Sequence, residues 1–234
     1  MSAWLHTLRQ NSPWFATLTP DQQQQLLAGG KVIHLQHNQR LFGRGDAFDG
    51  IYVMLTGAVL ISGLHTSGKE ALLTIVSSGD WFGEIALFDQ QSRTHDATAS
   101  GQASLYHLPV AFLDALLAEQ PLWWQLFGRL LTQKVRLVFG ALEDISLQPA
   151  KIRLARRLLM LCRLQQRLQQ QSQYVIPIQQ EQLGQLLSLS RQTTNQLLQQ
   201  LAQIGILRLS YATIEVIDPK QLQQLAELGS VGSE

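Results

Sequence analysis

The 234-residue chain has a single cysteine, Cys162. One thiol cannot close an internal disulfide, and it cannot supply the thiolates of a structural zinc or an iron–sulfur centre. Its flanks, LLMLCRL, read as an apolar helix face, where a thiol is a small buried hydrophobe. The six histidines show no ligand spacing on one helix, so no metal site is expected. Long hydrophobic runs are also lacking: no stretch reaches the roughly 18 consecutive apolar residues of a membrane span. The first ten residues, MSAWLHTLRQ, lack the charged-then-apolar layout of a secretory signal. A cytoplasmic protein with no membrane partner is therefore expected. Charged residues are few, at 15%, but 45% of residues are apolar, which argues against disorder. That suffices for one large or two small domains, each with its own core. No Ser/His/Asp order, paired-carboxylate site or metal spacing argues for catalysis, so neither an enzyme nor a resident cofactor is expected.

The net charge of +1 conceals an asymmetry. Residues 1–149 hold nine Lys and Arg against twelve Asp and Glu, while residues 150–234 hold nine against five. Lys151–Arg167 carries Lys151, Arg153, Arg156, Arg157, Arg163 and Arg167 with no acid. A basic C-terminal part suits a polyanionic partner. A solvated helix face is the alternative, and charge alone does not separate the two.

The texture of the chain changes twice. Residues 1–30 read as short helices, with Thr19 an N-cap, Pro20 in the first turn and Gly29-Gly30 a stop. From Lys31 to Leu108 come short β-rich runs: Val32–Gln36, Ile51–Thr56, Ala58–His65, Glu70–Val76 and Ala103–Leu108. Turn signals such as Gly45-Asp46, Asp49-Gly50, Ser67-Gly68 and Ser78-Gly79-Asp80 separate them, which argues an all-β barrel or roll. Val110–Ala118 is a short helix. Leu122–Ser146 then places apolar residues mostly three and four apart, a helical seam nearly 40 Å long at about 1.5 Å per residue. Such a stripe is either core or the contact with a second copy, and self-pairing as a parallel coiled coil is preferred. Pro149 breaks the helix and marks a hinge. Residues 150–168 form another amphipathic helix, and Gln169–Gln173 a polar link. Val175–Ile178, two helical patterns and a hairpin over Ile206–Ile217 follow, with a short helix from Pro219 and a loose tail over Gly229–Glu234. The expected architecture is α+β. It comprises a β-roll sensor over 1–120, a dimerisation helix over 121–147 and a winged helix-turn-helix over 148–234.

The helix-turn-helix rests on Gln180–Leu187, the tight connection Ser188-Leu189-Ser190 and the helix Arg191–Gln203, with Ser190 as N-cap. The first turns of the second helix are expected to expose Arg191, Gln192, Thr194, Asn195, Gln196, Gln199 and Gln200, with no acid to repel phosphate. Arginine there can donate two hydrogen bonds to guanine, and glutamine can bridge adenine in the same groove. Ser190 and Thr193 can position phosphates. The hairpin that follows is a wing beside the duplex.

The other telling stretch begins at Gly79-Asp80-Trp81-Phe82-Gly83. Gly83 allows close approach of a ligand to the backbone. Glu84 to Phe88, including Ile85 and Ala86, can form a short helical turn whose first amides favour an anion. Arg93 supplies a guanidinium for phosphate, Thr94 a hydroxyl, and Glu84 an acceptor for a sugar hydroxyl. The combination suits a phosphate attached to a ribose. Alternatively, Glu84 and Arg93 pair with each other across a loop.

On these residues a resemblance becomes clear. Residues 31–108 resemble the cyclic-nucleotide-binding domain, with FGEIALF (Phe82–Phe88) and Arg93-Thr94 similar to its phosphate-binding cassette. Residues 179–216 resemble the DNA-binding domain of the Crp/Fnr (catabolite activator) family, with Leu189–Leu207 as its recognition-helix signature. The resemblance implies a homodimer joined by the long helix, effector-gated binding at a near-palindromic duplex site, and contact with RNA polymerase. It assigns Gly83 and Glu84 to the amide and ribose positions, and Arg93 and Thr94 to the phosphate. Arg191, Gln192 and Gln196 take the base-reading positions. The catabolite activator has Glu where this chain has Gln192, so the operator does not carry over. That activator also offers a Thr-Ser pair to adenine, but Val135–Gly140 has no hydroxyl. The cysteines of the oxygen-sensing and haem-dependent branches are absent. Cyclic AMP or cyclic GMP is the expected effector. A regulator with another effector, or with constitutive DNA binding, is the alternative, and a cyclic-nucleotide-binding regulatory subunit is a third reading.

Overall fold

A computed structural model describes residues 3–64, 70–169, 174–176 and 178–228. The sequence-predicted turn at Ser67-Gly68, most of the Gln-rich link and the tail from Gly229 lie outside the described residues. The chain divides into two compact units, residues 1–136 and 137–234, with the boundary inside one long helix.

The first unit opens with α1 (Ala3–Asn11), α2 (Pro13–Ala16) and α3 (Pro20–Ala28). Thr19 caps α3 in a full capping box with Gln22, so two orphan amide donors are satisfied reciprocally. Among the described residues eight strands follow: β1 (Lys31–Leu35), β2 (Arg40–Phe42), β3 (Gly50–Thr56), β4 (Ala58–Leu64), β5 (Glu70–Ser77), β6 (Trp81–Phe82), β7 (Asp96–Ala99) and β8 (Ala103–Pro109). The helix α4 (Ile85–Asp89) interrupts them after β6, and α5 (Val110–Glu119) and α6 (Leu122–Leu147) close the series. The strands pair antiparallel in two four-stranded sheets, ordered β1-β8-β3-β6 and β2-β7-β4-β5. This is the expected double-stranded roll. The short β2, β6 and β7 are not legible in the sequence, because runs of two to four residues carry too little alternation to register.

Strand β3 explains why IYVML is a continuous apolar run. Alternate side chains of a strand face opposite ways, and both faces are buried here. Ile51, Val53 and Leu55 join Trp14, Phe15, Trp81, Trp123 and Phe127 in one core cluster. Tyr52 and Met54 join Phe42, Phe82 and Leu105 in the other. Trp14 ties α2 to α6, donating its indole N–H to the Leu126 carbonyl at 2.7 Å and stacking on Phe127 at 5.6 Å.

Helix α6 is one residue longer than predicted, and its two ends serve different ends. Trp123, Leu126, Phe127 and Leu130 are buried in the roll core. Val135, Val138, Phe139, Leu142 and Ile145 stay exposed. The core reading and the self-pairing reading thus each fit a different part of one helix.

The second unit contains α7 (Ala150–Gln169), β9 (Val175–Ile176), α8 (Gln180–Leu187), α9 (Arg191–Gln203), β10 (Leu207–Ser210), β11 (Thr213–Val216) and α10 (Pro219–Glu227). Its three strands form an antiparallel sheet ordered β10-β11-β9. Leu154, Leu158, Leu183, Leu198, Leu201, Ile214 and Leu222 are fully buried, so each amphipathic helix turns its apolar stripe inward. Among the described residues, no helix is long and apolar enough to cross a membrane.

Candidate functional site

The sequence-predicted cassette forms the stretch from β6 through α4 to Arg93. Gly83 has φ +89°, a left-handed conformation that favours glycine. A Cβ there would lie 2.7 Å from Arg93 Nη1, so the glycine is also what lets the guanidinium come in. Arg93 is only 4% exposed. Its Nη1 donates to the Gly83 carbonyl at 2.9 Å and its Nη2 to the Gly50 carbonyl at 2.7 Å. Nη2 also pairs with the Asp49 carboxylate. Aromatic rings surround the guanidinium: Phe42 at 4.3 Å, Phe48 at 5.0 Å and Tyr52 at 5.6 Å from ring centroid to Cζ. Of the three guanidinium nitrogens of Arg93, Nε alone is buried without a hydrogen-bond partner among the described residues.

Glu84 is buried as well, and its Oε2 accepts from Lys134 Nζ at 2.7 Å. Glu84 and Arg93 therefore do not pair with each other. Each has its own partner, Lys134 on α6 and Asp49 ahead of β3. Ala86 is buried, Ile85 is exposed, and Thr94 is exposed with its hydroxyl 2.8 Å from His95 Nδ1.

Asp49 is the centre of a network that sequence reasoning missed, having read Asp49-Gly50 only as a turn. Besides Arg93, its carboxylate accepts from the Tyr52 hydroxyl. The His107 ring stacks on Tyr52 at 4.5 Å and places Nε2 3.1 Å from the Asp49 carbonyl. Burial, then the Asp49 hydrogen bond and charge, push the Tyr52 phenol far above its ordinary value, so it stays a donor. Burial holds His107 below its ordinary value, against a raising contribution from Asp49. The signal for such a partner was an acid directly preceding a buried strand. Nothing in the local pattern links it to an arginine 44 residues away.

In the second unit, the predicted DNA-reading helices α8 and α9 fall on the expected residues. Ser190 caps α9, its Oγ accepting from the Thr193 amide at 3.0 Å and lying 2.8 Å from the Thr193 hydroxyl. Both hydroxyls are thus partly engaged in the cap. Arg191, Gln192, Asn195 and Gln196 are exposed on one side of α9, and Thr193 is partly exposed. Thr194 is a correction: it is fully buried, donating to the Ser190 carbonyl at 2.9 Å. It faces Gly184 of α8, where a Cβ would stand 3.0 Å from Thr194 Oγ1 and 3.1 Å from the Leu189 carbonyl. That pair sets how closely the two helices approach. Ser188, left-handed at φ +54°, makes the turn between them. The wing ends at Tyr211, which is 98% exposed, beside Ala212 at φ +51°.

Two members of the basic run on α7, Arg156 and Arg157, have a use that neither sequence reading gave. Arg156 Nε donates to the Ala226 carbonyl at 2.9 Å, and Arg157 Nη2 to the Leu186 carbonyl at 3.2 Å. Both carbonyls lie in the last turn of a helix, where acceptors lack partners and a cation is favoured. Burial lowers the Arg157 pKa from its ordinary value.

A β-roll carrying a buried guanidinium and carboxylate, together with a winged helix-turn-helix, defines a sensor-linked DNA-binding protein. Residues 32–120 match the cyclic nucleotide-binding domain, and residues 152–225 the Crp-like helix-turn-helix domain. The chain is 28% identical over 217 residues to the cyclic AMP receptor protein of Thermus thermophilus, covering 93% of this chain and 98% of that one. It is 29% identical over 190 residues to the CRP-like cAMP-activated global transcriptional regulator of Mycobacterium tuberculosis, with 80% and 84% covered. A CRP/FNR-family transcriptional regulator of Thermus thermophilus superimposes with a TM-score of 0.71 at 25% identity, covering 84% of this chain and 98% of that structure. The chain belongs to the Crp/Fnr family: it is a DNA-binding transcriptional regulator, not an enzyme.

Proposed function

We propose that the protein works in the cytoplasm as a homodimer joined along α6. It reads a two-fold symmetric duplex with Arg191, Gln192, Asn195 and Gln196, and it is gated by a cyclic nucleotide in the Gly83–Ala86 and Arg93–Thr94 cassette. Ser190 and Thr193 sit where phosphate contacts are expected. The observation that carries the reading is the exposed, acid-free face of α9 on a helix locked to α8 through Thr194 and Gly184. Two such helices must lie about 34 Å apart to enter successive major grooves. A ligand changes that spacing only through its different affinity for two states of the dimer, commonly about 1–3 kcal/mol. The family also supports RNA polymerase as a partner. Calorimetric titration with cyclic AMP and cyclic GMP, alongside selection of genomic duplex fragments, tests the proposal. Heat of binding and tighter DNA retention with ligand are expected. No heat at millimolar nucleotide overturns the effector, and no retention at low salt overturns the DNA reading.

A second reading is favoured by a specific observation. Both charged side chains that a cyclic nucleotide would engage, Arg93 and Glu84, already have intramolecular partners, Asp49 and Lys134. A roll whose charges are satisfied from within can hold its shape with no ligand. Operator binding by nucleotide-free protein, unchanged on adding nucleotide, would establish constitutive action.

A further inference from the structure

Helix α6 carries a strict heptad. Trp124, Gly128, Leu131, Val135, Val138, Leu142 and Ile145 follow one another at alternating steps of four and three residues, the spacing of a seam between two helices. Trp124, Val135, Val138, Leu142 and Ile145 of this series are exposed large hydrophobics. The first of them does not stand alone. The ring of Phe88, on α4, lies 5.8 Å from the ring of Trp124. Phe88 and Ile85, three residues apart on α4, share one helix face, and both are exposed. The apolar side of the cassette helix thus continues the seam at its N-terminal end. One turn on, Gly128 has no heavy atom within 4 Å of where a Cβ would stand, which leaves room on the seam for an incoming side chain.

We infer that α4 is part of the subunit interface: Ile85 and Phe88, together with Trp124, pack against α6 of a second copy of this chain. The inference rests on the homodimer reading above. A second copy fits because the heptad is this chain's own, and in a parallel pair each seam position meets its equivalent. Exposed apolar surface contiguous with such a seam is buried by the same partner. The functional consequence is direct. Ile85 follows Glu84 in the cassette, so whatever repositions Glu84 and Gly83 also repositions an interface residue. Occupancy of the cassette and association of subunits are then linked reciprocally.

The test is the dimer dissociation constant of the full chain by sedimentation equilibrium, for wild type, Ile85→Asp, Phe88→Ala and Val32→Asp. Val32 is an exposed apolar residue on β1 and serves as the control. Tryptophan emission of each variant reports whether the roll is folded. A dissociation constant raised at least tenfold by Ile85→Asp and severalfold by Phe88→Ala, with Val32→Asp unchanged, is expected. A wild-type dimer whose association is unaffected by folded Ile85→Asp and Phe88→Ala overturns the interface while leaving the homodimer intact. A monomeric wild type removes the homodimer reading itself. Should Ile85→Asp fail to fold, folded Phe88→Ala decides the matter alone.

Discussion

Replacing Arg93 by alanine should unfold the roll more readily as well as disable the cassette. The side chain is 2% exposed and holds three acceptors: the carbonyls of Gly83 and Gly50 and the carboxylate of Asp49. Asp49 is half exposed, so on losing its partner it returns to water at little cost. The Gly50 carbonyl, whose bond to Arg93 is buried, does not. An acceptor stranded away from water costs roughly 1–3 kcal/mol. Loss of the guanidinium from among Phe42, Phe48 and Tyr52 adds about 0.5–2 kcal/mol. The total is about 1.5–5 kcal/mol. All five tryptophans, at 4, 14, 81, 123 and 124, lie in residues 1–136, so tryptophan emission follows this unit alone. With a urea slope of about 2 kcal/mol/M, the unfolding midpoint should fall by roughly 0.75–2.5 M. A fall below about 0.5 M, near 1 kcal/mol at that slope, would refute the account, because it would mean water or another donor replaces the arginine freely. The same measurement is the control for any ligand titration on this variant, since a partly unfolded roll loses effector binding for a trivial reason.

Three further outcomes are expected. Arg191→Ala should weaken specific duplex binding by about 1–3 kcal/mol and relax preference at one base position, read by competition with single-base operator variants; an unchanged preference would remove Arg191 from base reading. The roll should lose stability as pH falls below about 6.5, the ordinary histidine value, because His107 and His95 are held below it when folded and the unfolded chain takes up protons first. His107→Gln should flatten the urea midpoint's dependence on pH in that window, and an undiminished slope would exclude His107 as a source. Gly184→Ala should cost about 1–3 kcal/mol in the second unit by circular dichroism melting, because the Leu189 carbonyl is backbone and cannot step aside; a neutral effect would mean the helices separate without penalty.

Long periodic elements were legible in the sequence for a physical reason. Helices α8 and α9 fall on the predicted residues because a cap, a turn and a repeat of three and four coincide there. Strand β3 was legible as five consecutive apolar residues, but not its division between two core clusters, which depends on both sheets being in place. The cassette residues were legible as a set of chemical types. Their partners were not, because Asp49 and Lys134 are distant in sequence and carry no mark beyond charge. Thr194 was misplaced because a threonine amid polar neighbours reads as surface, and only packing against Gly184 takes it inward. The wing residue Tyr211 was passed over because an aromatic in a strand-rich segment is ordinarily core.

The basic helix α7 separates two meanings of positive charge. Read as sequence, its arginines suit a polyanion. In the folded unit, Arg156 joins the Asp144 carboxylate near the end of α6 to the Ala226 carbonyl at the end of α10. Pro149 does end α6, yet α7 begins at the next residue, and the Pro149 carbonyl already accepts from Ile152 and Arg153. The corner after α6 is therefore braced, and a signal passing through it would move α10 along with α7. These two uses of Arg156 predict different salt behaviour. A phosphate contact contributes about one to the slope of log affinity against log salt, and its removal lowers that slope by the same amount. A brace contributes nothing to it. Arg156→Ala should leave the salt slope unchanged while lowering the stability of the second unit by about 1–2 kcal/mol, discounted because both partners are partly exposed. A slope reduced by one with stability intact would return Arg156 to the DNA and leave the corner free to bend at Pro149.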